Sequence, residues 1–238
     1  MGVISSDIRN VAIVGHNGTG KTTLVEQLLF QARALDKPAT VESGKTVSDF
    51  TDEEIAKKIS IHSSLISFYW NDRQINLLDT PGTSGFIGEA ICAFRSCESA
   101  LMVVDAEFGI QIETLKLWRR LNNRNKPRAV FINKMDKERA DFDAVLEQLK
   151  ERFKMAFVPI AIPIGKGAGF KGVVNLIEGK AYLPGADGRC VSYEVPSELH
   201  DLVEKYRGEL IESAAEGADD LLEKYFEEGT LTEEEIRR

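Results

Sequence analysis

The sequence is poor in cysteine, in histidine and in long apolar runs, and each shortage closes off a class of protein. Its three cysteines, Cys92, Cys97 and Cys190, form an odd set with no C-x-x-C spacing. That pattern argues against a disulfide framework or a zinc site and predicts buried thiols in a reducing cytosol. The three histidines, His16, His62 and His200, fall on different predicted elements and make no catalytic set. No uncharged stretch approaches the ~18 apolar residues that a membrane span requires, so no membrane partner is expected. A secretory leader is not predicted either, because the chain turns polar after its first few residues. Met1-Gly2-Val3-Ile4-Ser5-Ser6 fits the loose myristoylation pattern, but no second membrane signal accompanies it, and the match reads as coincidence.

Positive charge is also scarce, and unevenly so. The chain has 30 Lys+Arg against 38 Asp+Glu, a formal net charge of -8. Residues 1–174 are nearly balanced, with 23 basic against 21 acidic side chains, whereas residues 175–238 carry 7 against 17. The acidity therefore belongs to the C-terminal segment, as a solvated helical face or a surface for a basic protein partner.

What the chain does have is a glycine-rich stretch at its head. Gly15-His16-Asn17-Gly18-Thr19-Gly20-Lys21-Thr22 fits the phosphate-loop pattern G-x-x-x-x-G-K-[ST]. Residues 8–14 before it read as a short apolar strand. Residues 23–32 after it, beginning with Thr23, carry Leu24, Leu28 and Leu29 at helical spacing. Glycines let the backbone close around a phosphate; its N–H groups, the helix start and Lys21 supply positive potential. Thr22 offers a hydroxyl to Mg²⁺. Fifty-seven residues later an apolar strand, part of a predicted hairpin over residues 59–78, ends in Asp79-Thr80-Pro81-Gly82. There a carboxylate can hold Mg²⁺ through water and the Gly82 N–H can sense a γ-phosphate.

A third turn selects the base. Residues 128–132 read as a buried strand opening onto Asn133-Lys134-Met135-Asp136. In such an N-K-x-D turn the carboxylate can accept two hydrogen bonds from guanine N1 and its exocyclic amine, which adenine cannot provide, so GTP/GDP is expected rather than ATP. Residues 36–58, between the first helix and the hairpin, are polar with no clean periodicity. Predicted helices over 90–97, 110–124 and 141–153 alternate with strands over 100–104, 128–132 and 157–162, implying parallel β-α-β units with ligands at the carboxyl ends of the strands. Four glycines within eight residues from Gly165 mark a boundary. Beyond it come a predicted strand pair (residues 173–183 and 189–195) and helices near 197–215, 218–228 and after Thr232, the last with Glu235 completing a capping box. Trp70 and Trp118 are expected to serve packing.

These motifs together resemble the translational GTPases, specifically elongation factor G. The resemblance also runs through Pro163-Ile164-Gly165, Phe170-Lys171-Gly172-Val173-Val174-Asn175-Leu176 and Leu210-Ile211-Glu212-Ser213-Ala214-Ala215-Glu216, the last two similar to the insert in that factor's GTPase domain. It implies an α/β fold of the P-loop type with a mostly parallel sheet, residues 1–165 as the G-domain core and residues 166–238 as an α+β insert. It also implies a fragment, with the fifth guanine motif and further domains beyond the end. In full, such a protein would be a cytoplasmic monomer whose partner is the ribosome, through rRNA and stalk proteins. Ser60, in Lys57-Lys58-Ile59-Ser60, would join Thr22 and Asp79 around Mg²⁺. Three positions depart from the family pattern. Thr83 stands where a histidine orients the attacking water, polar Asn17 replaces an apolar gate, and Gly18 replaces an acidic neighbour. The resemblance thus implies a GTPase in which Lys21, Gly82 and Thr83 carry the chemistry, with hydrolysis slowed at Thr83. The competing readings are a GTP-gated binding module that does not hydrolyse and an unrelated P-loop ATPase.

Overall fold

The computed structural model describes residues 4–238, so Met1-Gly2-Val3 of the myristoylation match lie outside the described residues. The chain divides into two compact units, one ending at Lys134 and the other spanning Met135–Arg238.

The first unit is built on a five-stranded sheet in the order β2-β3-β1-β4-β5. Its central strand β1 (Ile8–Gly15) ends in a run of four buried residues, as expected of a strand covered on both faces. It pairs in parallel with β3 (Arg73–Asp79) and β4 (Ser99–Asp105), and β4 pairs in parallel with β5 (Arg128–Asn133). β2 (Ser64–Trp70) is the antiparallel edge, joined to β3 by a tight turn at Asn71 and Asp72, both with positive φ. Side chains alternate along a strand. Ile13 and Val103 therefore face one side, where Val25 and Leu29 of α1 (Lys21–Gln31) close a core with Phe68 and Leu77. α3 (Ile87–Ser96) and α4 (Ile112–Asn122) also pack on β1 and bring buried Ala90, Ala93, Phe94, Leu117, Trp118 and Leu121.

Register sets the working edge of this sheet. Ile13 sits opposite Asp79, Gly15 opposite Val103, and Asp105 opposite Asn133. The phosphate loop, Asp79 and Asn133 thus leave the sheet at the carboxyl ends of parallel strands, where ligands bind in open α/β sheets.

The second unit holds α5 (Phe142–Phe153), an antiparallel sheet in the order β6 (Ala161–Ile164), β7 (Gly172–Asn175), β8 (Lys180–Pro184) and β9 (Cys190–Tyr193), and helices α6 (His200–Ala215), α7 (Asp219–Glu228) and α8 (Glu233–Arg237). Its core joins Leu146 to Ile162, Ile164, Val174, Leu176, Ala181, Val203, Tyr206 and Leu210.

Several boundaries differ from expectation for local reasons. The strand expected at 157–162, as part of the parallel alternation, is β6 (Ala161–Ile164), and it belongs to the antiparallel sheet. Phe157 and Val158 instead pack against the second unit's core. The single strand expected over 173–183 is two, β7 (Gly172–Asn175) and β8 (Lys180–Pro184). Asn175 Oδ1 accepts from the N–H groups of Ile177 and Glu178, a side-chain turn that breaks the ladder. Residues 36–58, read as irregular, contain α2 (Asp52–Lys57), nucleated by a Thr51–Glu54 capping box. Of the thiols expected to be buried, Cys97 is, whereas Cys92 and Cys190 are exposed.

Candidate nucleotide site

The phosphate loop is shaped by its own hydrogen bonds. Thr19 Oγ1 donates to the His16 carbonyl at 3.0 Å, and Asn133 Nδ2 donates to the Thr19 carbonyl at 2.8 Å, so β5 braces the loop. Gly20 immediately precedes α1 with φ +90, and a Cβ there would lie 2.5 Å from Asn133 Nδ2. Only glycine satisfies both the left-handed turn and the close bracing amide. Lys21 opens α1 and is buried. Its Nζ donates to the Gly15 and His16 carbonyls at 3.2 and 3.0 Å, curling back under the loop. Burial brings its pKa down to about 8, against the opposing pull of Asp79 and Asp49.

Gly82 lies against this loop. A Cβ on it would meet Lys21 Nζ at 2.5 Å and the Asn17 amide nitrogen at 2.6 Å. Behind it, Thr80 is anchored on β1 by its hydroxyl, which donates to the Ile13 carbonyl at 2.8 Å.

At the second residue of α1, Thr22 Oγ1 donates to Asp79 Oδ2 at 2.8 Å and stands 3.3 Å from Ser60 Oγ. Asp79 is 1% exposed, and its other oxygen, Oδ1, is buried with no hydrogen-bond partner. Burial raises its pKa, with Lys21 and the Thr22 and Ser48 hydroxyls opposing. Two hydroxyls and a carboxylate with a spare buried oxygen are hard oxygen donors, the set that suits Mg²⁺ and leaves positions for water and phosphate. The residues therefore fit a magnesium ion. No cluster of three His, Cys, Asp or Glu suited to a transition metal occurs among the described residues.

A protein-family model described as the elongation factor Tu GTP binding domain matches residues 6–229. The chain belongs to that family of translational GTPase domains. A solved crystal structure of a protein from Thermus thermophilus superimposes with a TM-score of 0.88 at 34% identity, covering 98% of this chain and 35% of that one. This chain thus spans 35% of that relative's length. The fold is the α/β fold of the P-loop G domain, with a second, antiparallel sheet.

Measured against a G domain, the structure gathers Gly15, His16, Thr19, Gly20, Lys21, Thr22, Ser60, Asp79, Gly82 and Asn133 at one edge of the first unit. Asn17, Gly18 and Thr23 are exposed, and Thr83 is half-buried. Lys134 takes a left-handed conformation, φ 64, and its Nζ pairs with Asp105 Oδ2 at 2.9 Å. That carboxyl is held below its usual range: burial would raise it, but the Lys134 ammonium and the Glu107 amide prevail. Asp136 belongs to the second unit.

Four residues here were not read from the sequence. Asp49 is buried, and burial raises its pKa. Glu54 is fully buried, Glu26 nearly so, and Glu113 is hydrogen-bonded to both His16 Nδ1 and the Ser84 hydroxyl. Only the T-x-x-E spacing of Thr51 and Glu54 offered a signal, and it announces a helix cap. The others are lone acids whose meaning comes from the fold.

Proposed function

We propose that this chain is the guanine-nucleotide-binding domain of an elongation factor G-like translation factor, hydrolysing GTP on the ribosome with Mg²⁺. The observation that carries the reading is the Thr22–Asp79–Ser60 group beneath the phosphate loop, with Asp79 Oδ1 unpaired. Lys21 would neutralise β- and γ-phosphate oxygens, with Gly15, His16, Asn17, Gly18, Thr19, Gly20 and Thr23 around the phosphates. Thr22 and Ser60, with Asp79 through water, would hold the metal, which supplies charge neutralisation at those same oxygens. Gly82, packed on Asn17 and Lys21, would report whether the γ-phosphate is present. Asn133 and Lys134 would line the base side of the site, and Asp136 would select guanine. Residues 1–165 would form the G-domain core and 166–238 an insert whose acidic helices meet a ribosomal stalk protein. The setting is cytoplasmic and the protein a monomer; within the described residues no helix is long and apolar enough to cross a membrane.

A second reading is favoured by three residues. Thr83 can hold a water through a single hydrogen bond but cannot become a cation beside developing phosphate charge, and exposed Asn17 and Gly18 supply neither apolar gate nor acidic neighbour. On that reading the protein is a GTP-gated ribosome-binding module.

GTP turnover with and without ribosomes, for the protein and for T83H, separates the two. Ribosome-stimulated turnover in the parent, little changed by T83H, supports the GTPase. A parent that binds GTP in preference to ATP yet stays silent, with turnover restored by T83H, supports the gated binder. Binding of ATP in preference to GTP would sink both.

A further inference from the structure

Residues 32–63 join α1 to β2 and hold only one short α-helix, yet Thr46, Ser48, Asp49 and Glu54 within them are buried. Glu54 is 0% exposed. Its two oxygens serve different parts of the chain. Oε2 accepts from the Phe50 and Thr51 amides at 3.2 and 3.0 Å and from the Thr51 hydroxyl at 2.9 Å. Oε1 accepts from the Ile61 and His62 amides at 2.9 and 3.0 Å. One carboxylate thereby ties the two ends of the stretch 50–62 together across α2 and the left-handed turn at Lys58, φ 56.

A helix cap explains only the first half of this arrangement. Capping requires the Thr51 contacts; it does not require an oxygen committed to the amides of residues 61 and 62, beyond the end of α2. A helix of six residues has no stability of its own to spare for that purpose. What the Oε1 contacts fix is the backbone just after Ser60, whose Oγ stands 3.3 Å from Thr22 Oγ1. Glu89 on α3 continues the restraint, accepting from the Ser63 amide at 2.8 Å.

We infer that Glu54 is a positioning residue: its Oε1 contacts fix the backbone after Ser60 and so hold the Ser60 hydroxyl beside Thr22. The inference rests on the proposed reading of Ser60 as a magnesium ligand. It gives Ser60 and Glu54 one shared role, exerted only toward a ligand whose metal needs the Ser60 hydroxyl. A diphosphate, leaving more coordination positions to water, depends on it less.

The test compares the protein with E54Q, S60A, the double variant and T51A. The readouts are affinity for a slowly hydrolysed GTP analogue and for GDP across a magnesium titration, and hydrogen exchange of the proteins with and without the analogue. A glutamine at 54 must turn an N–H toward one pair of amides, so it cannot grip both ends. E54Q is expected to weaken magnesium-dependent binding of the analogue by about tenfold, to change GDP binding by less than about twofold, and to expose the 61 and 62 amides to exchange. S60A should give the same selective loss, and the double variant should be no worse than either alone. T51A, which removes cap contacts only, should bind both nucleotides as the parent does. Equal losses for analogue and GDP in E54Q, or losses that add in the double variant, would overturn the inference. So would slow exchange at 61 and 62 in E54Q. If E54Q does not fold, E54D, whose shorter arm reaches only one pair of amides, carries the same comparison. Failure of the parent to bind any guanine nucleotide would defeat the functional reading instead, and hydrogen exchange would still judge the grip itself.

Discussion

At the scale of single residues, the site combines a buried cation with backbone packed too closely to admit a side chain. Lys21 has its pKa lowered to about 8 by burial, so it gives up its proton in the folded protein more readily than in the unfolded chain. Between pH 8 and the ordinary lysine value of 10.5 the unfolded chain binds more protons at this group, and Lys21's contribution to stability rises with pH across that window. Phosphate acts the other way, because an anion against the ammonium favours the charged form. Nucleotide affinity is therefore expected to fall as pH rises through about 8, with proton uptake on binding there, measured by titration calorimetry in buffers of differing ionisation enthalpy. K21M should abolish both effects. Gly82 supplies a second residue-scale prediction. In G82A the new methyl would meet Lys21 Nζ at 2.5 Å and the Asn17 amide nitrogen at 2.6 Å, and the backbone there must move. Affinity for a GTP analogue should drop by at least about tenfold, as expected for misplaced ligand contacts; unchanged affinity would mean that the Gly82 backbone does not adjoin the phosphates. These contacts explain why the glycines and Lys21 were legible in the sequence. Phosphate recognition by backbone demands a fixed residue order, so the motif is local.

At the scale of elements, legibility divides along the same line. β1, α1, β4, α4, β5 and α5 follow from apolar runs and helical spacing, and the structure places each within a few residues of expectation. Residues 36–63 did not yield, because their order comes from buried carboxylates that accept backbone N–H groups, and no periodicity records such a bond. Glu26 on α1 does for the first half of this connection what Glu54 does for the second, accepting from Ala39 N at 2.8 Å and Val47 N at 2.6 Å. Replacing it by alanine strands those two amides and opens a hole beside α1. E26A is expected to cost about 1–3 kcal/mol in urea denaturation, the range for orphaned buried donors, and to raise exchange rates at 39 and 47. A change below about 0.5 kcal/mol would show that the connection is held by other contacts. Glu113 was equally hidden. Reading its partners His16 and Ser84 required knowing that α4, the phosphate loop and the turn after Asp79 meet.

For the whole molecule, what remains is how the functional division relates to the packing. The family resemblance draws its line near residue 165, between the G-domain core and the insert. The apolar cores draw theirs after Lys134, since α5 contributes Leu146 to the cluster built from β6, β7, β8 and α6, and Asp143 accepts from the Tyr206 hydroxyl at 3.1 Å. No sequence pattern could have shown this, because the helical spacing of α5 fixes which face is apolar and leaves its partner open. The packing has a measurable consequence. L146A empties a position 5% exposed within that cluster and is expected to cost about 2–5 kcal/mol, the range for leucine truncation in a core. Hydrogen exchange should then accelerate in β6, β7, β8 and α6, while β1, β3 and β4, whose core is Ile13, Val25, Leu29, Phe68, Leu77 and Val103, keep their protection. Loss of protection spread evenly over both sheets would mean that the two cores unfold as one cooperative unit.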